Sequence, residues 1–346
     1  MAAGLSSRPA TSTSSRWAFA PDVALATAGD PSTLRAIVYD RYGPPDVLTS
    51  RDLPTPTPRP GEVLLDVRAA ALNPKDSFIR KGRFRFLTGN RFPRQLGYDV
   101  AGVVRALGAG AEGLAPGDAV FGMVNGLAGG TVAEQICVPA DELAPKPARL
   151  SFEEAAALPL ASLTALQALR DEGRLRPGQL ALLHGASGGV GSFAIQIARA
   201  LGARVTTTSS ARNLGHCKGL GADEAWDYAL QDGLGRGAGW DVFFDVFGNR
   251  SFQRVRPALG PRGTYVTTVP GLRIALQQAL TLPLRRRARL VLVRSNRRDL
   301  DLLGRWVDDG RLRPVIDRVF TLDQVAAAQA HIESKRARGK VVVRIG

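Results

Sequence analysis

Cysteine and histidine are nearly absent: Cys137 and Cys217 are the only thiols, and His184, His216 and His331 the only imidazoles. Two cysteines cannot build a disulfide framework or a four-thiolate zinc site, and the histidines show no metal-ligand spacing. No metal is therefore expected. Long apolar runs are missing too. Gly, Pro or Arg breaks each one short of the ~20 residues that span a bilayer, so the chain reads as a soluble protein. Lysine is scarce, at positions 75, 81, 146, 218, 335 and 340 only, so 40 of the 46 basic residues are arginine. Zinc-finger, RNP and heptad-linked basic signatures are lacking, and no nucleic-acid partner is expected.

What is present suits a globular chain. It has 346 residues, 45% of them hydrophobic and 22% charged, which is room for roughly two domains. The net charge of +15 favours an anionic partner such as a phosphorylated cofactor or an acidic membrane without choosing between them. Residues 1–32 are rich in Ser, Thr and Ala, with Arg8 and Arg16 and no acid before Asp22. They read as a leader: the composition fits a transit peptide, and equally a disordered tail or a misassigned start.

From Leu34 to about Pro147, short strands such as Glu62–Ala70, Val100–Leu107, Ala119–Val124 and Val132–Val138 alternate with Gly/Pro turns, predicting a partly open β-barrel. The texture changes at Ser151, which with Glu154 forms a capping box. One helix should follow through Ala157 and another over Ser162–Asp171. Then strands (Gln179–His184, Ala203–Ser209, Ala225–Tyr228, Val242–Val246, Gly263–Thr268) alternate with helical segments, the mark of βαβ units and a parallel sheet. After Arg313 the chain returns to short elements, ending in a strand at Val341–Ile345. The expected division is a leader at 1–32, one domain from 33–150 with 314–346, and an inserted α/β domain at 151–313.

The most informative stretch is His184-Gly-Ala-Ser-Gly-Gly-Val-Gly191. A buried strand ends there, glycines crowd the turn, and an apolar helix begins near Val190, which is the context a dinucleotide fingerprint needs. Gly188 and Gly191 occupy its last two glycine positions, with Ala186 in place of the first. The second glycine lets backbone approach a pyrophosphate and the third allows close packing of helix on strand. An enzyme using NAD places an acid at the end of the next strand. Here Ser209, Ser210 and Arg212 follow instead, and no acid comes before Asp223, which favours the 2′-phosphate of NADPH.

Together with Leu72-Asn-Pro-Lys-Asp76, Gly97-Tyr-Asp-Val-Ala-Gly102, Pro116-Gly-Asp-Ala-Val120, Leu220-Gly-Ala-Asp223 with Tyr228, and Ala337-Arg-Gly-Lys-Val341, these residues resemble the medium-chain dehydrogenase/reductases, in their zinc-free quinone oxidoreductase branch. The likeness covers about residues 33–346. His184–Ile197 and Gly310–Ile316 are especially similar to the mitochondrial reticulon-interacting NADPH oxidoreductases. The resemblance implies an α/β fold: a GroES-like barrel domain with an inserted Rossmann domain and the active site between them. It implies NADPH contacts from Ser187, Gly189, Val190, Ser210 and Tyr228, with Arg336, Ala337 and Arg338 reaching over from the C-terminal segment; these join the turn glycines Gly185, Gly188 and Gly191 and the phosphate candidate Arg212, which the residues themselves point to. Lys335-Arg336 departs from the family's Gly-His. Zinc-dependent relatives carry Cys at the place of Asn73 and His-Glu at that of Tyr98-Asp99.

Without a metal, hydride from NADPH suits an acceptor that is already electrophilic, a quinone or an α,β-unsaturated carbonyl. Asn73, Lys75 and Tyr98 are the candidate donors to the oxygen that gains charge. The rival readings are an enoyl-thioester reductase and a non-catalytic NADPH-binding interaction protein. Gly271–Arg298 carries eight arginines and no acid, including Arg285, Arg286, Arg287 and Arg289 before the apolar Leu290–Val293. The favoured reading is a solvated arginine face beside a strand that pairs in a homodimer, and the other is a peripheral membrane contact. A cytoplasmic enzyme is expected, or a mitochondrial one if residues 1–32 are a transit peptide.

Overall fold

The computed structural model describes residues 33–346, so the leader lies outside the described residues. Three sheets organise the chain. Leu180–His184 is the central strand of a six-stranded sheet ordered 224–227, 204–209, 180–184, 240–245, 259–267 and 287–290, with every pair parallel. Numbered along the chain this order is 3-2-1-4-5-6, that of a doubly wound dinucleotide-binding sheet. Ala181, Leu182 and Leu183 are fully buried, as expected of a strand covered on both faces. The order reverses between 180–184 and 240–245, and ligands of such sheets bind at the carboxyl ends of the strands flanking that point.

The seven-stranded sheet draws on both ends of the chain. Its order is 316–321, 340–344, 62–72, 99–107, 119–123 and 143–145, with 135–139 also paired to 62–72. All of its pairs are antiparallel except 316–321 with 340–344. A small antiparallel sheet of 49–54, 33–39 and 94–95 makes an isolated bridge from Ala36 to Ala133, two residues before strand 135–139. The α/β fold with a barrel-like and a parallel-sheet part is therefore as the sequence implies.

One core runs beneath both larger sheets, taking in Ala69, Ala101 and Phe121 from one and Leu183, Val205 and Val242 from the other. Helix Pro159–Leu166, buried along its whole length, lies within it. The helix starts earlier than its composition predicts. Pro159 sits in the first turn, and the Leu160 N–H is taken by the Asp99 carboxylate 2.6 Å away, a cap that sequence-local reading cannot see. Its tail widens into a π-helix at Gln167–Glu172. The capping box of Ser151 and Glu154 forms as expected. The edge strand does not follow the apolar run Leu290–Val293: it is Arg287–Leu290, because alternation along the ladder buries Ala288, while Leu292 faces outward at 68% exposure. Among the described residues, no helix is long and apolar enough to cross a membrane.

Candidate active site

The glycine turn stands at the carboxyl end of Leu180–His184. Gly185 takes φ +84°, the left-handed region that glycine alone enters freely, and a Cβ on it would run into the Phe247 ring. Helix Gly189–Ala200 follows with Gly188 at its N-cap, and no side chain caps it. The N–H groups of its first turn are left for a ligand, and the helix dipole favours an anion there. A Cβ at Gly188 would meet nothing within 4 Å, whereas one at Gly191 would lie 2.5 Å from Ala186 Cα. The two glycines thus do different work: one leaves the entrance open, and the other lets the helix sit on the turn.

Ser187 and Ser210 are joined through Asn213, whose Nδ2 donates to both hydroxyls at 2.9 and 3.2 Å. Asn213 was not singled out from sequence, because nothing local marks an asparagine that links two loops. Arg212 is exposed and makes no hydrogen bond or ion pair among the described residues. Tyr228 is 52% exposed, and its N–H donates to Ser209 O, so it stands beside the end of Arg204–Ser209. The C-terminal loop reaches the same place, since Gly188 and Gly339 form a parallel bridge. Arg336 and Arg338 are exposed on that loop, with Ala337 half-buried between them. His184 is occupied on both ring nitrogens, by Thr208 at 2.7 Å and Asn249 at 2.9 Å, and burial lowers its pKa.

Across from the turn lies a buried polar cluster. Asn73 is the N-cap of helix Pro74–Arg80 and forms a capping box with Asp76. Its amide donates to Asp99 Oδ2 at 2.9 Å and to Ala71 O at 3.3 Å. Lys340 Nζ donates to Asn73 Oδ1 at 2.5 Å and to Asp99 Oδ2 at 2.8 Å. Asn73 and Lys340 are each 3% exposed and Asp99 not at all. Asp76 also accepts the Gly97 N–H at 3.0 Å, and burial pushes its pKa up to about 6.

Lys75 rests its ammonium 3.6 Å from the centroid of the Tyr98 ring and donates to Gly126 O at 2.7 Å. Burial lowers its pKa to about 8. Tyr98 is 2% exposed and gives its hydroxyl proton to Leu127 O. Of the three candidate donors, then, Asn73 has both amide hydrogens on protein acceptors and Tyr98 has its one proton so placed. Lys75, with three N–H bonds and one named acceptor, has donors to spare. Lys340 and Phe247 were not singled out from sequence. A lysine opening an apolar strand, in a chain that otherwise uses arginine, was the available signal for the first; Phe247 had none.

Among the described residues no group of three or more His, Cys, Asp or Glu side chains could hold a metal ion. Family profiles match the chain twice, as an alcohol dehydrogenase GroES-like domain over residues 59–148 and as a zinc-binding dehydrogenase over 220–343. A 2-methylene-furan-3-one reductase of Solanum lycopersicum is 37% identical, over 90% of this chain and 79% of its own. The NADPH-dependent alkenal/one oxidoreductase of Arabidopsis thaliana chloroplasts is 35% identical, over 96% and 85%. The solved structure of the quinone oxidoreductase from Coxiella burnetii superposes with a TM-score of 0.83 at 34% identity, covering 91% of this chain and all of that one.

Proposed function

The chain belongs to the medium-chain dehydrogenase/reductase family, and we propose that it is a zinc-independent, NADPH-dependent oxidoreductase acting on quinones or α,β-unsaturated carbonyls. The observation that carries the reading is the pairing of an open, uncapped glycine turn with a strand end that presents Ser210 and an unpartnered Arg212 in place of an acid. Relatives named as quinone oxidoreductase and as alkenal/one oxidoreductase support the acceptor class.

The residues fit the cofactor. The backbone of Ser187, Gly188, Gly189 and Val190 would hold the pyrophosphate, with Gly185 and Gly191 shaping the turn, and Ser210 and Arg212 the 2′-phosphate. Tyr228 flanks that end, and Arg336, Ala337 and Arg338 close from the other side. When bound, NADPH supplies a hydride. Lys75 donates to the acceptor oxygen as it becomes negative, its ammonium still charged near neutral pH. Tyr98 packs beneath that ammonium, and Asn73 holds the start of the helix that carries it. The positions that hold zinc ligands in zinc-dependent relatives offer a single carboxylate, Asp99, already engaged by Lys340 and the Leu160 N–H.

We divide the chain into a barrel unit of 33–150 with 314–346 and a cofactor unit of 151–313. For a partner surface we take helix Leu272–Thr281, which buries Ile274, Gln277 and Thr281 and turns Leu272, Leu276 and Leu280 outward, beside the edge strand Arg287–Leu290. A second copy is the proposed occupant, with an anionic membrane as the competitor that the arginines recommend. A cytoplasmic location remains part of the proposal, with the mitochondrion as the alternative.

The test is metal-stripped protein with NADPH and a benzoquinone or enone, then with NADP⁺ and ethanol. Chelator-insensitive NADPH consumption with the first pair alone is expected. Robust ethanol oxidation, or activity restored only by zinc, overturns the reading.

A further inference from the structure

We propose that Lys340 is a positioning residue that sets the cofactor turn against the helix bearing Lys75, an inference that rests on the functional reading above. Three observations carry it, one at the residue before Lys340 and two at its side chain. The residue before it, Gly339, has φ +98°, and a Cβ there would strike the Val315 carbonyl oxygen, so the loop must press close at this point. The bridge from Gly339 to Gly188 then fixes where the strand Lys340–Arg344 begins relative to the glycine turn. Next, the stem of Lys340 lies over the first turn of helix Gly189–Ala200: its Cδ is 3.0 Å from where a Gly189 Cβ would stand. Finally, its ammonium reaches Asn73 Oδ1 and Asp99 Oδ2.

The chain of consequence runs onward from both acceptors. Asn73 starts helix Pro74–Arg80, and Lys75 is two residues along. Asp99 holds the Leu160 N–H with its other oxygen, so the same ammonium is tied to the first turn of the buried helix between the sheets. Asp99 Oδ2 accepts from Asn73 as well as from Lys340, which leaves the three groups with one mutually satisfied arrangement. A buried, mutually bonded set of this kind has few alternatives, because any displacement strands a charge away from water. Lys340 touches neither substrate nor hydride in this scheme. It acts through Asn73 on Lys75 and through Gly189 on the turn.

The variants that separate this role from general support of the fold are Lys340→Met, which keeps the stem and removes the charge, and Lys340→Met/Asp99→Asn, which removes both buried charges. Turnover of NADPH with a quinone, NADPH affinity by fluorescence titration, melting temperature and amide hydrogen exchange are measured on each. Lys340→Met should hold NADPH within about threefold of wild type, because its stem still covers Gly189, yet lose at least tenfold in kcat. Its exchange should quicken over residues 73–80 and not throughout the core. The double variant should regain melting temperature without regaining kcat. Recovery of kcat in step with melting temperature would show a purely structural role and overturns the proposal, as does exchange that quickens uniformly. An inactive wild type strikes the functional reading instead, and the exchange pattern and NADPH affinity of Lys340→Met still decide the positioning.

Discussion

Gly188 and Gly339 meet backbone to backbone in a parallel bridge, so the C-terminal loop is fastened to the glycine turn after Leu180–His184. The loop before the final strand, with exposed Arg336 and Arg338, therefore meets the turn after Leu180–His184, and exposed Arg212 follows the neighbouring strand Arg204–Ser209.

Arg212, standing where an acid would select NADH, predicts cofactor choice. NADPH should bind more tightly than NADH, and Arg212→Ala should remove much of the difference. Loss of one charge-assisted phosphate contact costs about 1.5–3 kcal/mol, roughly 10- to 100-fold in affinity. Fluorescence titration of both cofactors against both proteins measures it. Equal wild-type affinities for the two cofactors would falsify the assignment.

The glycines predict opposite failures. Gly188→Val should fold with a near-normal melting temperature, since a side chain there meets open space, but it should bind NADPH poorly. Gly191→Val should lose stability, by about 1–3 kcal/mol or more, because the Ala186 backbone cannot move aside. Thermal melts read beside cofactor titrations distinguish the two. A Gly188→Val protein that binds NADPH normally removes the turn from the cofactor site.

Lys75 predicts a pH limb. Its pKa of about 8 means the donating ammonium is lost as pH rises past that value, so turnover should fall on the alkaline side. Lys75→Met should be slower by about 10²- to 10³-fold, as for loss of one preorganised donor, and should lack the limb. A pH–rate profile unchanged in Lys75→Met assigns proton donation elsewhere.

Asp76 predicts a stability trend of the opposite sign to the usual carboxylate. Burial raises its pKa from 3.8 to about 6, so the folded state holds this proton more tightly than the unfolded one. Its contribution is full below about pH 4 and is lost as pH rises through 6, a swing of about 2–3 kcal/mol at most. Denaturant unfolding of wild type and Asp76→Asn from pH 4 to 7 isolates the group. The advantage of wild type over the variant should shrink as pH rises, and a growing advantage would contradict the burial argument.

The sequence by itself determined much of this protein. Alternation of short strands and helices dictated the parallel sheet, and the run from His184 to Gly191 marked a tight strand–helix turn, because glycine at such a junction is a local backbone requirement. The missing acid after Val205 was equally readable, being a matter of residue type at a fixed spacing. Tertiary structure decided the rest. It decided that helix Pro159–Leu166 begins where Asp99 caps it, and that the edge strand falls on Arg287–Leu290 rather than on the apolar run beyond. It also decided that Asn73 is held by Lys340 and Asp99, and that of the three candidates Lys75 keeps N–H bonds without a named acceptor. Those outcomes depend on groups far apart in the chain satisfying one another's charges and hydrogen bonds once water is excluded, and neither spacing nor composition records which distant partner a buried polar atom will find.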